Sequence, residues 1–293
     1  MSWAVSGVTF PPYPWRIAEK SPGSDVRGVH KLLIGNYGVR MSHNVHQVGI
    51  VGSGIMAAGV AEVFARGGHH VMVRARSKDS AHALIDTVKR GLDRNVERNK
   101  LSAAEASDIT SRISATTDLG DLASCDLVLE SIVEDLSSKV ALFGDLDAVV
   151  SPRTILATNT STLPVIELAR ATNRPELVCG IHFFNPASAM SLVEIVRPVT
   201  ASQETIDTAT ALVASCGKDT VAVRDDAGFV VNALLFPYLN NAVRMYERGT
   251  ATIEDIDAAM KGGCNFPMGP FALLDLVGLD TSLSILETLH AEF

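Results

Sequence analysis

Residues 45–226 alternate short apolar runs with helical segments, and residues 227–293 carry helical runs alone. This pattern predicts an α/β domain built on a parallel sheet, followed by a smaller all-helical domain. A glycine cluster between the first apolar run and the first helix predicts that the sheet opens as strand, turn, helix, strand. Of the 293 residues, 47% are hydrophobic and 20% charged, enough apolar material to offset the ordering entropy of folded domains.

Taken in order, 48–51 reads as a strand, 57–66 as a helix and 71–73 as a second strand. Helical stretches follow at 79–99 and 103–112. Strand-like runs recur at 127–129, 154–158, 178–182 and 192–196, with a helix at 136–149 among them. Near-continuous apolar strands suit a sheet covered on both faces. Past Asp226 the helical runs are 230–247, 253–261 and 272–292, with no strand signal, which sets the expected domain boundary. Residues 1–44 differ: Pro11, Pro12, Pro14 and Pro22 interrupt Trp3, Phe10, Tyr13 and Trp15 without a period, as in a poorly ordered N-terminal extension.

Twenty-five Lys and Arg against 33 Asp and Glu leave a net charge of −8, which argues against nucleic acid or an anionic membrane as partner. Cys125, Cys179, Cys216 and Cys264 are widely spaced, so neither a disulfide framework nor a zinc site is expected. No apolar run approaches the ~18 residues of a membrane span, and a cytoplasmic location with reduced thiols is expected.

The run Val48-Gly49-Ile50-Val51-Gly52-Ser53-Gly54-Ile55-Met56-Ala57 closes a strand and opens a helix with the pattern G-x-G-x-x-A. Gly52 permits the tight turn, Gly54 lets the backbone approach a pyrophosphate, and Ala57 lets the helix pack close to the sheet. Ile55 and Met56 bring the free N–H groups of the helix start. The domain is therefore expected to be of the Rossmann, dinucleotide-binding type. An acidic ribose ligand belongs about 20 residues on; counted from Gly54 that place falls at Ala75, inside Arg74-Ala75-Arg76-Ser77-Lys78. Losing the anion and gaining Arg76 favours NADP over NAD, while NAD stays open.

Two runs, Ile181-His182-Phe183-Phe184-Asn185-Pro186 and Ser191-Leu192-Val193-Glu194-Ile195-Val196-Arg197, suggest a hairpin. If it centres on Ser188, His182 and Glu194 are each six residues away and face each other. A carboxylate on one imidazole nitrogen fixes the tautomer and frees the other nitrogen for acid/base work on a secondary alcohol. Spacing alone leaves a structural histidine open; the glycine motif favours the catalytic one.

These motifs, with Glu130-Ser131-Ile132-Val133-Glu134, Asn159-Thr160-Ser161, Tyr246-Glu247-Arg248-Gly249 and Pro267-Met268-Gly269-Pro270, resemble the 3-hydroxyacyl-CoA dehydrogenase family from about Val45 onward. The resemblance implies interconversion of 3-hydroxyacyl-CoA and 3-oxoacyl-CoA, an acyl-CoA substrate and a homodimer formed through the helical domain. It implies His182 as acid/base, Glu194 as its orienting partner, and Ser161 and Asn232 near the substrate oxygen and nicotinamide. Glu134, Lys139 and Asn185 would contact the cofactor. A related hydroxy-acid or sugar-acid dehydrogenase, and a catalytically weak nucleotide-binding protein, are the alternatives.

The chain departs from the family pattern at Ala75, at Ala227 where the family carries proline, and at Ala233 where it carries arginine. The family's Gly-Arg-Lys-Ser-Gly-type tail does not follow Phe293, so the helical domain is expected to be truncated. Arg90, Arg94 and Arg98 form a cationic stripe that suits either a coenzyme A phosphate or a solvated helix face.

Overall fold

The computed structural model describes residues 45–292, so the extension expected over 1–44 lies outside the described residues. An eight-stranded sheet organises the first part, with spatial order β3-β2-β1-β4-β5-β6-β7-β8. Its strands are β1 (Gln47–Val51), β2 (His70–Arg74), β3 (Ile113–Thr116), β4 (Leu127–Glu130), β5 (Ile155–Thr158), β6 (Val178–Phe183), β7 (Leu192–Arg197) and β8 (Asp219–Arg224). Strands β1 to β6 pair in parallel, β7 is antiparallel to β6, and β8 is parallel to β7.

Helices α1 (Ile55–Arg66), α2 (Lys78–Glu97), α3 (Ala103–Ser111), α4 (Leu136–Val149), α5 (Val165–Arg170) and α6 (Gln203–Ser215) cover the sheet. One face packs Val48, Ile50, Val71, Val73, Leu127 and Leu129 against α1 and α2, and the other packs Val51, Val128 and Leu156 against α4 and α5. Double coverage explains why β4 and β5 are buried at every residue. Polar caps punctuate the helices: Ser77 accepts from the Ser80 amide at the start of α2, and Ser102 from that of Glu105 at the start of α3.

Two strands carry no apolar run to announce them. β3 is four residues of Ile-Ser-Ala-Thr at the sheet edge, and β8 has only half-buried and exposed positions. The helical part comprises α7 (Val231–Glu247), α8 (Ile253–Cys264), α9 (Pro270–Val277) and α10 (Leu279–Glu292), packed around Phe236, Leu239, Leu274, Ile285 and Leu289. The single helix expected over 272–292 is two, because Gly278 at φ +95° ends α9 and redirects the chain. No helix among the described residues is long and apolar enough to cross a membrane.

Candidate active site

The order β3-β2-β1-β4 reverses direction between β1 and β4, and a parallel sheet of this kind opens a crevice beyond the carboxyl ends of those strands. The glycine loop stands there. Gly52 has φ +142°, and a Cβ on it would lie 2.2 Å from the Ser131 carbonyl oxygen, so only glycine fits. Gly54 is the N-cap of α1 with extended backbone and no side-chain cap, and among the described residues nothing lies within 4 Å of where its Cβ would be. The first amides of α1 thus lack a side-chain cap and sit at the positive end of the helix dipole. Ala57 is fully buried against the sheet, Met56 is half-buried, and Ile55 is exposed. These features fit the pyrophosphate of a dinucleotide.

Beyond β2 the buried Ala75 supplies no carboxylate, while Arg76, Ser77 and Lys78 are exposed. Arg76 thus places an exposed cation at the strand end where a ribose ligand is expected.

The β6–β7 hairpin pairs Ile181 with Ile195, His182 with Glu194 and Phe183 with Val193. His182 Nδ1 and Glu194 Oε2 are 2.8 Å apart in a buried setting. Glu194 Oε1 accepts from the amides of Val230 and Val231, both at 3.0 Å, at the start of α7. Burial alone would raise the Glu194 pKa, but the bonds from His182 and from the Val231 and Val230 amides hold it below the ordinary glutamate value. An ionised Glu194 keeps the proton of His182 on Nδ1 and leaves Nε2 free. Phe184 and Phe229 flank the imidazole, with ring centroids 4.5 and 5.5 Å away, and shield it from water. Phe229 gets there through two left-handed residues in succession, Gly228 at φ +72° and Phe229 at φ +52°. A Cβ on Gly228 would meet Leu289 at 2.7 Å, so the turn is set by glycine even with alanine at position 227.

A second polar chain runs beside this pair. Glu130, fully buried at the end of β4, accepts from Lys139 Nζ at 2.6 Å, the Ile132 amide at 2.6 Å and Thr158 Oγ1 at 2.7 Å. Lys139 is itself only 1% exposed and lies 3.2 Å from Glu134. Glu134 accepts from Thr160 Oγ1 at 2.6 Å, the Ser161 amide at 2.7 Å and Ser161 Oγ at 3.2 Å. Desolvation would raise the Glu134 pKa, but the Lys139 charge and the Thr160 and Ser161 bonds lower it below the ordinary value. Asn232 Nδ2 donates to the Ser161 carbonyl at 3.3 Å, tying helix α7 to the loop after β5.

The structure thus gathers His182, Glu194, Ser161, Asn232 and Glu134 at the carboxyl edge of the sheet. Lys139 sits behind Glu134 with its ammonium on two carboxylates, while Asn185 is exposed at the exit of β6. Sequence reasoning assigned no role to Glu130 or to the Val230 and Val231 amides. Glu130 stood in a quoted motif and is a carboxylate at a strand end, a usable signal. Backbone amides carry no mark in a sequence.

Comparison with known proteins finds relatives for this chain. Residues 47–226 match the family model of the 3-hydroxyacyl-CoA dehydrogenase NAD binding domain, and residues 228–293 match that of the 3-hydroxyacyl-CoA dehydrogenase C-terminal domain. The chain is 42% identical over 247 residues to the 3-hydroxybutyryl-CoA dehydrogenase of Clostridioides difficile, covering 84% of this chain and 88% of the relative. It is 42% identical over 252 residues to the mitochondrial hydroxyacyl-coenzyme A dehydrogenase of Sus scrofa, covering 84% and 80%. The crystal structure of the (S)-3-hydroxybutyryl-CoA dehydrogenase of Ralstonia eutropha superposes with a TM-score of 0.84 at 38% identity, covering 85% of this chain and 88% of that one.

Proposed function

The chain belongs to the 3-hydroxyacyl-CoA dehydrogenase family, and on that premise we propose that it interconverts 3-hydroxyacyl-CoA and 3-oxoacyl-CoA, with 3-hydroxybutyryl-CoA and acetoacetyl-CoA as the short-chain pair. The observation that carries this reading is the buried 2.8 Å contact between His182 and Glu194, on strands of the same sheet whose first strand leads into the open glycine loop. When bound, the nicotinamide cofactor supplies the hydride acceptor or donor.

Gly52, Gly54, Ile55, Met56 and Ala57 cradle the pyrophosphate through the loop and the start of α1. In the oxidative direction His182 takes the hydroxyl proton on Nε2, and Glu194 stabilises the imidazolium. In the reductive direction the same nitrogen returns that proton to the oxygen. Ser161 and Asn232, joined by their own hydrogen bond, orient the reacting oxygen and the cofactor. Glu134 and Asn185 face the cofactor. Lys139, too buried to reach far, acts there through Glu134.

NADP is the preferred cofactor in this reading, because Ala75 removes an anion that would repel a 2′-phosphate and Arg76 adds a cation. The helical domain pairs with a second copy through exposed apolar side chains, among them Leu276, Leu279 and Leu283. Acetoacetyl-CoA reduction assayed with NADH and NADPH on the full chain tests reaction and cofactor together. Turnover with neither cofactor sinks the reading, and a higher kcat/KM with NADH sinks the NADP preference.

A further inference from the structure

Lys218 plays no part in the chemistry above, yet its surroundings are unusual for a lysine. Its Nζ donates to the carbonyl oxygens of Ala187 and Met190, both at 2.7 Å, with that of Ser188 at 3.4 Å. All three belong to the turn joining β6 to β7. The position follows from topology. Gly217, at φ +75°, turns the chain after α6, and β8 enters with Asp219 opposite Leu192, so Lys218 falls beside the hairpin turn. The Asp219 amide, bonded to the Ser191 carbonyl at 2.9 Å, secures the same place.

The turn also packs against α1, the helix that begins at the glycine loop. Ala187 is buried in the core shared with α1, and a Cβ built on Gly59 would lie 3.1 Å from the Ala187 Cβ. Residues 186–190 are also short of regular partners: Ala189 and Met190 both donate to the Pro186 carbonyl, leaving the carbonyls of Ala187 and Met190 to the ammonium. One cation therefore gathers the turn and seats it on α1.

We propose that Lys218 is a positioning residue for the cofactor: by holding the β6–β7 turn against α1, it keeps Asn185, at the head of that turn, in place beside the glycine loop. The inference rests on the reading that the chain binds a nicotinamide cofactor which Asn185 contacts. His182 and Glu194 are held by strand pairing further along the hairpin, so the clamp acts on cofactor binding more than on proton transfer.

The test compares the full chain with Lys218→Met and Lys218→Arg, titrating NADH and NADPH by nucleotide fluorescence and measuring steady-state kinetics. Lys218→Met weakens cofactor binding by about tenfold, the scale of one lost charge-assisted hydrogen bond, and raises the cofactor KM equally. Its kcat at saturating cofactor changes less, and Lys218→Arg, which keeps the donors, recovers most of the affinity. A folded Lys218→Met chain with unchanged cofactor affinity, or with lowered kcat and unchanged KM, overturns the proposal. Should Lys218→Met not fold, Gly59→Ala displaces the same turn from the α1 side, and unchanged cofactor affinity in that variant overturns it equally. A wild-type chain that binds neither nucleotide overturns the cofactor reading itself, and this inference with it.

Discussion

Glu194 joins the two parts of the protein: one of its carboxylate oxygens lies 2.8 Å from His182 Nδ1, and the other accepts the Val230 and Val231 amides where the helical part begins. The placing of the His182 imidazole and the seating of α7 therefore depend on one buried carboxylate.

His182→Gln is expected to lower turnover by about 10²–10⁴-fold, the usual contribution of a positioned acid/base group, while cofactor affinity stays within twofold of wild type. Single-turnover reduction of acetoacetyl-CoA and a nucleotide titration check the two halves. A variant retaining near-full rate sinks the mechanism.

Glu194→Gln removes the charge that holds the His182 proton on Nδ1, and kcat is expected to fall on the order of 100-fold or more. Glu194→Ala also leaves the Val230 and Val231 amides without their acceptor, and it is expected to cost about 1–3 kcal/mol of stability in denaturant unfolding. Equal stability of the Ala variant and wild type would remove the claimed link between the two parts.

The pH dependence of stability follows from the depressed pKa values of Glu194 and Glu134. A group whose folded pKa lies below its unfolded value of about 4.3 stabilises above that value, and the contribution is lost as pH falls through the folded value. Wild type should therefore lose stability on acidification below the ordinary glutamate range. Glu194→Gln should show a shallower loss over the same window, measured by urea unfolding at stepped pH.

Gly52→Ala and Gly54→Ala separate folding from binding. At Gly52 the new methyl strikes the Ser131 carbonyl at 2.2 Å and meets a positive φ, so a loss of stability of about 1–3 kcal/mol is expected. At Gly54 the methyl meets nothing, so thermal stability should hold while cofactor affinity falls about tenfold, since the methyl occupies the approach to the pyrophosphate. Calorimetry and nucleotide titration read the two effects. Unchanged affinity in Gly54→Ala would argue against this loop as the cofactor cradle.

Arg76→Ala is expected to reduce kcat/KM for NADPH by about tenfold and leave that for NADH within twofold, as loss of a charge-assisted contact to a 2′-phosphate requires. A parallel fall with both cofactors would show Arg76 to be indifferent to the phosphate.

Much of this site could be read from the chain because its rules are local. The glycine spacing specifies a turn and a helix start within six residues, and hairpin pairing is symmetric about its turn, so counting from Ser188 sets His182 opposite Glu194, as the observed register has it. Alternation of apolar runs with helices likewise determines a parallel sheet covered on both faces. The strands β3 and β8 escaped because short or exposed strands at the sheet's edges need no apolar run, and the break at Gly278 because a glycine inside a helical pattern has no visible φ.

What the sequence by itself determined is therefore the fold class, the glycine loop between β1 and α1, and the His182–Glu194 pair. Tertiary structure alone decided that Lys139 is buried between Glu130 and Glu134 rather than paired on a surface, that the amides of α7 hold Glu194, and that Lys218 grips a turn some 30 residues away. The physical reason is shared. Each of these contacts is made with a backbone group or a distant element, and only the packed sheet brings such partners within hydrogen-bonding distance and takes away the water that would otherwise satisfy them.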